Sequence, residues 1–582
     1  MGRVGAADFY WLFSQFNENY APLELKQQRY GFNYEQLKAK YLADAQATKN
    51  NDEFYKLMFQ FVSEFKDAHT SASLTASQLP ARAKVAYLGF SGKRVGETLV
   101  VTELLPTIKA DKSEFPIKVG DHITKIDGIT LRESVVNEQV KFRNLGNEES
   151  NVTYHMNKIF NRVSTANGLP AGDTAVLTVM REKKERQVAL PWVVKDLFVF
   201  NQEQKAATKK ANSSDKGEEA VLGSVFQLGF LRYDGKIEPS ASIMQTIVRE
   251  LPNFSFWNTF RFVDSTPVWA AKLLNDPTVV GGNNDDTLKG AELLGADRKT
   301  PKHAVPVTEA KTFPAYVTRE KIVGKDGKAT GATKLVAYMY LNTFSPKTAE
   351  PEVMKEIQAT LDQLKVLGAT DLIIDMINNG GGSLTLGMKI AQTLSKEKVV
   401  QPDIQFRLSE TWLDNFEKGS LLGDSDAERE LSRRIFETFK ADQALGKRLS
   451  RRLSVESLEP FGFVANDKLD TKLNIVLLVN EMCASMCDIF TGIMKDNGLA
   501  RVVGTKTMGA GGNVVDHYEA PNSHLTVRQT ESLIVRTGAN DGVYIENNGV
   551  EPDVEVRTAD STMEKYEPVR VKALELLLTE TK

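Results

Sequence analysis

The sequence predicts an α/β fold with a mixed sheet, and two groups of segments carry that prediction. In the first, the apolar runs Lys334–Asn342 and Asp371–Met376 flank an amphipathic helix at Glu350–Leu367, which is the β-α-β order of a parallel or mixed sheet. In the second, the short apolar runs Ile475–Val479 and Ala500–Gly504 are separated by residues with helical spacing. Short apolar runs of this kind are typical of buried strands. We therefore expect buried strands in these four segments and a parallel or mixed sheet in the fold.

The N-terminal region, Phe9–Ala68, is predicted to be helical. Its apolar residues recur at intervals of three and four, with Phe9, Leu12 and Phe13 on one face. Near its end the chain reads Lys-Asp-Ala-His-Thr, which places His69 just after the last helix. A closing helix is expected at Met563–Leu578.

Composition and charge exclude several classes of protein. The chain has 582 residues, 41% of them hydrophobic and 26% charged, as in ordinary soluble globular proteins. Its net charge of −3 gives no electrostatic argument for binding nucleic acid or an anionic membrane. No apolar run reaches the length of a transmembrane helix. No metal-ligand spacing, phosphate loop or dinucleotide fingerprint is present, so we predict no metal and no cofactor.

The segment around Ser485 has the pattern of a nucleophile turn. The strand Ile475–Val479 is followed by small and polar residues, and a helix is predicted from Met486. This geometry holds a nucleophile at a helix N-terminus, where backbone amides and the helix dipole stabilise an oxyanion. Ser485 is therefore the candidate nucleophile.

Two cysteines, Cys483 and Cys487, flank Ser485. We interpret them as small buried hydrophobic side chains. A disulfide between them would cross one helical turn and is expected to be strained. A cysteine nucleophile is the remaining alternative.

The block Cys483–Asp488 resembles the nucleophile segment of the tail-specific (C-terminal-processing) serine proteases, which typically read Ser-Ala-Ser-Ala-Ser-Glu there. The lysine base of that family falls at Ala510 in this chain, so a Ser–Lys pair is absent at that position. The loop Gly504–Gly512 instead resembles a branch with Ser, His and Glu, which includes the tricorn core and the chlamydial protease-like activity factor. The resemblance implies a crotonase/ClpP-like α/β protease core.

That branch implies roles for further residues. His69 would be the general base, and Glu546, within a segment similar to Glu-Asn-x-Gly-Val-x-Pro-Asp, would orient it. The run Asn378–Gly382 matches the family's Asn-Gly-Gly-Gly element, which implies oxyanion donors at the amides of Gly381 and Met486. The histidines His517 and His524 are rival bases. For the run Asn378–Gly382, the alternative is a glycine-rich turn that binds no ligand. For Glu546, the alternative is a surface glutamate before a turn.

Residues Tyr87–Val194 resemble a PDZ domain inserted between base and nucleophile. Leu88, Gly89 and Phe90 would form its carboxylate-binding loop, whose amides cap a peptide C-terminus. The segment Asn144–Leu169 is longer than the PDZ pattern needs, which indicates an insertion. The alternative is a degenerate PDZ domain that packs structurally and binds nothing.

These segments predict six parts of the chain. The predicted boundaries are 1–80 for the helical N-terminal region, 81–200 for the PDZ-like domain, 201–332 for a linker and an insertion without assigned structure, 333–400 for the first part of the core, 401–465 for a helical cap, and 466–582 for the second part of the core. Within them, Gln202–Glu219 is predicted to be a flexible linker because it is polar and lysine-rich.

The predicted function is a serine endopeptidase that acts on protein or peptide substrates, with the PDZ-like domain binding a substrate or regulatory peptide. A periplasmic or secreted location is favoured over a cytoplasmic one, with a signal removed from the sequence. Whether the protein forms a homodimer is left open. The alternatives are an inactive relative that binds peptides and, from the shared crotonase fold, an acyl-CoA enzyme.

Overall fold

The computed structural model describes residues 2–75, 83–110, 114–212, 231–232, 305–307, 312–323, 329–458, 466, 469, 472–557 and 567–578. The chain divides into two compact units. The first unit comprises Met1–Asn17, Leu23–Lys236 and Val515–Gln529, and the second comprises Glu18–Pro22, Ile237–Val514 and Thr530–Lys582.

The described residues open with four successive α-helices and then combine helices and strands up to a C-terminal helix. The α-helices span Gly2–Asn19, Leu23–Tyr30, Tyr34–Ala47, Asn51–Ser63, Pro106–Ala110, Leu131–Ser134, Glu148–His155, Leu197–Asn212, Glu350–Leu367, Leu384–Thr393, Glu410–Leu422, Asp426–Ala444, Met486–Asp496 and Glu567–Leu578. Shorter helical segments are the π-helix Val135–Gln139 and the 3-10 helices Met156–Phe160, Val455–Leu458 and Gly538–Asn540.

The strands are numbered here in chain order. They are β1 Ser71–Thr75, β2 Lys84–Tyr87, β3 Phe90–Val95, β4 Thr98–Leu104, β5 His122–Ile126, β6 Ile129–Thr130, β7 Asn161–Val163, β8 Thr174–Arg181, β9 Lys184–Pro191, β10 Val193–Asp196, β11 Leu231–Arg232, β12 Val305–Pro306, β13 Ala315–Val323, β14 Ala329–Tyr340, β15 Asp371–Asp375, β16 Asp403–Phe406, β17 Leu453–Ser454, β18 Asn474–Val479, β19 Ala500–Gly504, β20 Val514–Glu519, β21 Thr526–Thr530, β22 Ser532–Val535 and β23 Val554–Glu555.

The first unit begins with helices that pack through aromatic side chains. Phe13 lies with its ring 4.7 Å from that of Phe61, and Phe16 stacks on Phe65 at 4.2 Å. All four side chains are buried, and paired aromatic rings add stability beyond the area they bury. This packing confirms the predicted helical region and fixes where the chain leaves the helices on its way to His69.

The rest of the first unit is mainly antiparallel sheet. One sheet has the order β3-β4-β5-β8-β9, with β6 paired to β5, and a second has the order β10-β2-β7. A single buried cluster that includes Phe90, Ile123 and Leu177 fills the space under these strands. The prediction of an inserted β domain is confirmed.

A seven-stranded sheet is the centre of the second unit. Its order is β12-β13-β14-β15-β18-β19-β23, antiparallel at the β12 end and parallel from β14 onward. The predicted mixed α/β sheet is therefore confirmed. Because adjacent parallel strands end at the same edge of a sheet, the loops after β15 and β18 start side by side. These loops carry the glycine run near Gly381 and the turn at Ser485.

The two faces of this sheet bury alternate residues of each strand. Leu372 and Ile374 of β15 belong to a large cluster with the helices Glu350–Leu367, Leu384–Thr393 and Met486–Asp496, whereas Ile373 packs with the helix Glu567–Leu578. Every residue of β15 is buried. This explains why the central strands read as continuous apolar runs rather than as alternating ones.

The expected linker at Gln202–Glu219 is wrong for its first half. Residues 202–212 belong to the helix Leu197–Asn212, and residues 213–219 lie outside the described residues. Leu197 and Phe200 are buried, and Gln204 donates to the hydroxyl of Thr107 at 3.0 Å. The buried side chains of Leu197 and Phe200 anchor the start of this helix, which then continues into the polar residues 202–212.

Candidate active site

Ser485 lies where β18 passes through a turn into the helix Met486–Asp496. Its backbone has φ 58° and ψ −124°, which residues other than glycine rarely adopt. Serine at a helix N-cap normally accepts a hydrogen bond from the first turn, but the Ser485 side chain makes none. The strained backbone therefore keeps the hydroxyl out of the capping role.

Asp488, at the third position of the same helix, caps it instead. Its carboxylate accepts hydrogen bonds from the amides of Gly509 at 2.9 Å and Ala510 at 3.0 Å, and the Thr507 side chain and the Ser485 amide also donate to it. Complete burial raises the pKa of Asp488 to about 7, although these donors favour the ionised form. Asp488 thus joins the nucleophile helix to the Gly509–Gly512 loop.

This role of Asp488 was not predicted from the sequence, where the residue stands only as part of a family motif. The signal that could have found it is an acidic residue three positions after an N-cap serine, the spacing of a capping box. Here only the carboxylate half of that motif is formed, because the serine side chain does not cap.

Gly381 packs directly on the nucleophile turn. Its φ is +96°, and a Cβ at this position would lie 2.6 Å from the Cβ of Ser485 and 2.7 Å from both the Ala484 carbonyl oxygen and the Met486 nitrogen. Side-chain carbons do not approach other atoms this closely, so only glycine fits without rearrangement. The structure therefore brings Gly381, Ser485 and Met486 into direct contact.

The glycine loop is fastened by asparagines. The Gly381 amide donates to the Oδ1 of Asn379 at 2.8 Å, while the carbonyl of Asn379 accepts from the Ala484 amide at 3.1 Å. Asn480 and Asn378 also exchange hydrogen bonds, at 2.8 and 2.9 Å. The loop after β15 and the turn after β18 therefore form one hydrogen-bonded assembly.

The second predicted oxyanion donor, Met486, is the first residue of its helix. The first amides of an α-helix have no carbonyl partner within that helix. The Met486 side chain is buried and packs against Gly387 of the helix Leu384–Thr393, where a Cβ would lie 2.3 Å from its Cε. This contact fixes the start of the nucleophile helix.

Glu546 is fully buried in the second unit. One carboxylate oxygen accepts a hydrogen bond from the Gly511 amide at 3.3 Å, and the next residue, Asn547, donates through its amide to the Gly509 carbonyl at 2.8 Å. The Gly509–Gly512 loop thus contacts Glu546 on one side and Asp488 on the other. Glu546 is linked to the nucleophile helix through this loop.

His69 belongs to the first unit, in the turn formed by residues 67–70. The Asp67 carboxylate accepts hydrogen bonds from the His69 amide at 2.7 Å and from the Thr70 amide at 3.2 Å. The pKa of His69 is lowered to about 3, chiefly because the side chain is buried; the Asp67 carboxylate opposes this, and the positive charges of Arg528 and other basic residues add to it. The imidazole is therefore neutral near pH 7, the state that a general base requires.

The two rival histidines differ from His69. His524 is exposed, and its Nδ1 lies 2.6 Å from the carboxylate of Glu519. His517 lies in β20, and the placement of its side chain is outside the described part of the structure. Of the two candidate bases whose side chains the structure describes, His69 and His524, only His69 is buried.

One amide of the predicted carboxylate-binding loop of the PDZ-like domain forms a hydrogen bond within the chain. The Leu88 amide donates to the Phe160 carbonyl at 3.2 Å, and in β3 the Gly92 amide donates to the Oδ1 of Asn157 at 3.0 Å. The segment Met156–Phe160 packs against β3 and against the helical residues that follow β6. Peptide binding by Leu88, Gly89 and Phe90 stays a prediction.

The interpretation of the cysteines as separate thiols is wrong. Cys483 and Cys487 form a disulfide, with their Cα atoms 5.3 Å apart, a separation that is usual for such bonds. We expected a strained disulfide because we assumed that the two cysteines lie in a regular helical turn. The helix begins only at Met486, after Ser485, whose φ is positive. Both cysteines are buried, as expected. The disulfide excludes a cysteine nucleophile in this form of the chain.

The described residues contain no group of histidine, cysteine, aspartate or glutamate side chains that could hold a metal ion. Across the same residues, no helix is long and apolar enough to cross a membrane.

An α/β core with a strained serine at a helix N-terminus and a glycine loop against it is an arrangement found in hydrolases that use a serine nucleophile. Residues 335–556 match the model of Peptidase family S41, and residues 77–152 match the model of the PDZ domain. The chain therefore contains a peptidase family S41 domain and a PDZ domain, and the predicted resemblance is confirmed.

Curated relatives align with parts of this chain. A protein of Chlamydia trachomatis is 28% identical over 272 residues, which is 42% of this chain and 43% of the relative. The "Carboxyl-terminal-processing protease" of a Picosynechococcus species is 28% identical over 192 residues, 33% of this chain and 32% of that protein. The chain thus spans less than half the length of each of these relatives.

Among solved structures, mature CPAF has a TM-score of 0.62 at 18% identity, covering 99% of this chain and 96% of that one. A structure of mature CPAF complexed with lactacystin has a TM-score of 0.61, also at 18% identity. At this level of identity the similarity shows a shared fold.

We expect Gly381→Ala to destabilise the second unit more than a matched substitution elsewhere. The new Cβ collides with the backbone of the nucleophile turn, and overpacking of this kind costs about 1–3 kcal/mol. The positive φ adds strain of about 1–2 kcal/mol for any non-glycine residue. Urea unfolding followed by circular dichroism measures the loss.

The control is Gly368→Ala, which has a φ of +69° but no atom within 4 Å of the new Cβ. It carries the conformational strain without the collision. Equal losses in the two variants would contradict the close contact between Gly381 and the turn at Ser485.

Proposed function

We propose that this protein is a serine endopeptidase in which Ser485 is the nucleophile, His69 the general base and Glu546 the residue that orients the base. The amides of Gly381 and Met486 form the oxyanion hole. Protein or peptide chains are the proposed substrates, and no metal or cofactor takes part.

The observation that carries the proposal is the backbone of Ser485. A non-glycine residue in a left-handed conformation at a helix N-terminus costs stability of about 1–3 kcal/mol. Such strain recurs at active sites, where surrounding structure enforces it. Here the Gly381 loop and the Asp488 carboxylate enforce it, and the capping hydrogen bond that would occupy the hydroxyl is not made.

In the proposed reaction, the Ser485 hydroxyl attacks the carbonyl carbon of a peptide bond while His69 accepts its proton. The tetrahedral oxyanion then collapses, the C–N bond breaks, and the imidazolium returns the proton to the leaving amine. Water repeats the sequence on the acyl-enzyme and releases the acid. Glu546 stabilises the imidazolium, as an aspartate does in the better-known triads.

To form the oxyanion hole, the Gly381 amide must exchange one hydrogen-bond acceptor for another. The Gly381 amide donates to Asn379 in the structure, so it must turn from that side-chain oxygen to the substrate oxyanion. A charged acceptor forms a stronger hydrogen bond than a neutral amide oxygen does. The developing oxyanion therefore drives the exchange as the transition state forms.

We also propose that the protein works outside the cytoplasm. The Cys483–Cys487 disulfide supports this location, because disulfides form and persist in oxidising compartments. The inactive peptide-binding alternative is less well supported. It needs an open PDZ groove, whereas the Leu88 amide is already bonded to Phe160, and it gives no reason for the strained serine.

Single substitutions test the triad. Ser485→Ala, His69→Ala and Glu546→Gln each remove one member. A loss of about 10⁶-fold in kcat is expected for the nucleophile and the base, and about 10⁴-fold for the orienting Glu546. Turnover of unfolded casein and labelling by a fluorophosphonate measure the effect. The label should attach to Ser485 in the wild type and be lost in Ser485→Ala.

His524→Ala is the control, because this exposed side chain pairs with Glu519 at the surface. It should keep wild-type activity. Full activity in His69→Ala, or activity lost in His524→Ala instead, would overturn the assignment of the base.

The pH profile tests whether Glu546 acts on His69. A carboxylate beside an imidazole raises its pKa, so Glu546→Gln should lower it. Because the neutral imidazole is the base, activity falls as pH drops through this pKa. The acid limb of kcat/KM should therefore move to lower pH in the residual activity of Glu546→Gln.

Glu551→Gln, at an exposed carboxylate paired with Lys506, should leave the acid limb unchanged. An acid limb near pH 7 that Glu546→Gln does not move contradicts the pairing. Asp488, whose pKa is raised to about 7, would then be the group that titrates.

A further inference from the structure

The turn that carries His69 is held from both sides. On one side the Asp67 carboxylate accepts hydrogen bonds from the amides of His69 and Thr70 and from the Thr70 hydroxyl. On the other side the guanidinium of Arg143 donates to the carbonyls of Asp67, Ala68 and Thr70. One arginine thus binds three of the four carbonyls in residues 67–70.

Arg143 is far from this turn in the sequence, within the segment that matches the PDZ domain. The backbone on either side of it is anchored. The Ser63 hydroxyl donates to the Val140 carbonyl at 2.6 Å, and the Nε2 of His155 lies 2.6 Å from the Arg143 carbonyl. The Leu145 amide also donates to the Oδ1 of Asn151 at 2.8 Å. The guanidinium is therefore presented by a fixed stretch of backbone.

The chemistry of arginine suits this task. Its planar guanidinium has five N–H donors in a fixed fork and no acceptor, so it can bind several carbonyls at once. Lysine presents a single charged nitrogen on a flexible stem and does not reproduce the fork. Burial lowers the pKa of Arg143, but an arginine side chain stays protonated in proteins. Its charge is therefore constant across the working range of pH.

We propose that Arg143 is a positioning residue for the base, which holds the turn of residues 67–70 so that the His69 imidazole keeps one orientation. This inference rests on the proposed function, in which His69 is the base. Arg143 acts through the backbone and does not touch the reacting atoms. The PDZ-like segment thereby contributes to catalysis through a fixed contact rather than through a bound peptide.

Arg143 also acts on His69 through its charge. The charged groups that face His69 are Asp67, whose carboxylate raises its pKa, and Arg143, Arg528 and Lys26, which lower it. Removing the Arg143 charge therefore raises the pKa of His69 and moves the acid limb of activity to higher pH. The geometric and electrostatic effects can be separated by choice of substitution.

Arg143→Lys keeps the charge and loses the fork, while Arg143→Gln loses both. Misplacing a catalytic group by about 1 Å costs roughly 10²-fold in rate, so both variants should lose kcat by about that factor with KM within about twofold of wild type. Arg143→Gln should in addition shift the acid limb to higher pH, and Arg143→Lys should not. A purely structural role would lower both stability and the amount of folded protein without moving the pH profile.

A second measurement does not depend on turnover. In the Ser485→Ala background, NMR of chains labelled with ¹³C-histidine follows the titration of His69 directly. The pKa of His69 should rise in Arg143→Gln and stay near its original value in Arg143→Lys. An unchanged pKa in both variants would overturn the electrostatic part of the proposal.

Arg132→Gln is the matched control. Arg132 lies in the same domain and pairs with Glu97, Glu148 and Glu149, but it does not contact residues 67–70. It should leave kcat and the pH profile unchanged. If His69→Ala is inactive while both Arg143 variants behave as wild type, the inference fails and the proposed function stands. If His69→Ala is fully active, the proposed function itself fails.

Discussion

The approach of Gly381 to the turn at Ser485 is the contact on which the candidate site depends. A Cβ on residue 381 would lie within 2.7 Å of atoms in three consecutive residues, so the two loops can meet only where one of them has no side chain. That contact brings the backbone of Gly381 against a serine whose own backbone is strained. The seven-stranded sheet makes it possible, because the adjacent parallel strands β15 and β18 end at one edge and deliver the two loops together.

Around this contact, polar side chains that take no part in the proposed reaction hold the reacting groups in place. Asp488 fastens the Gly509–Gly512 loop to the nucleophile helix, and that loop contacts Glu546. In the other unit, Asp67 and Arg143 fix the turn that bears His69. In both cases buried polar side chains form hydrogen bonds to backbone groups, and these bonds hold a loop in one conformation.

Much of this could be predicted from the sequence, because the signals are local. The strand at Ile475–Val479, the helix Glu350–Leu367 and the serine turn follow from apolar spacing and from small residues at turns. The disulfide and the role of Arg143 could not be predicted. Whether Cys483 and Cys487 can bond depends on where the helix begins, which is set by the backbone of Ser485. Arg143 meets residues 67–70 only through the fold, since no spacing or motif relates segments that lie more than seventy residues apart.

The central claim is that the amides of Gly381 and Met486 bind an oxyanion formed at Ser485. A crystal structure of the protein after reaction with diisopropyl fluorophosphate tests it directly. The account predicts a phosphoryl group on the Oγ of Ser485, with one oxygen about 2.7–3.1 Å from both amides and with the Gly381 amide turned away from Asn379. An unmodified Ser485, or an adduct whose oxygen lies elsewhere while Gly381 still donates to Asn379, would contradict it.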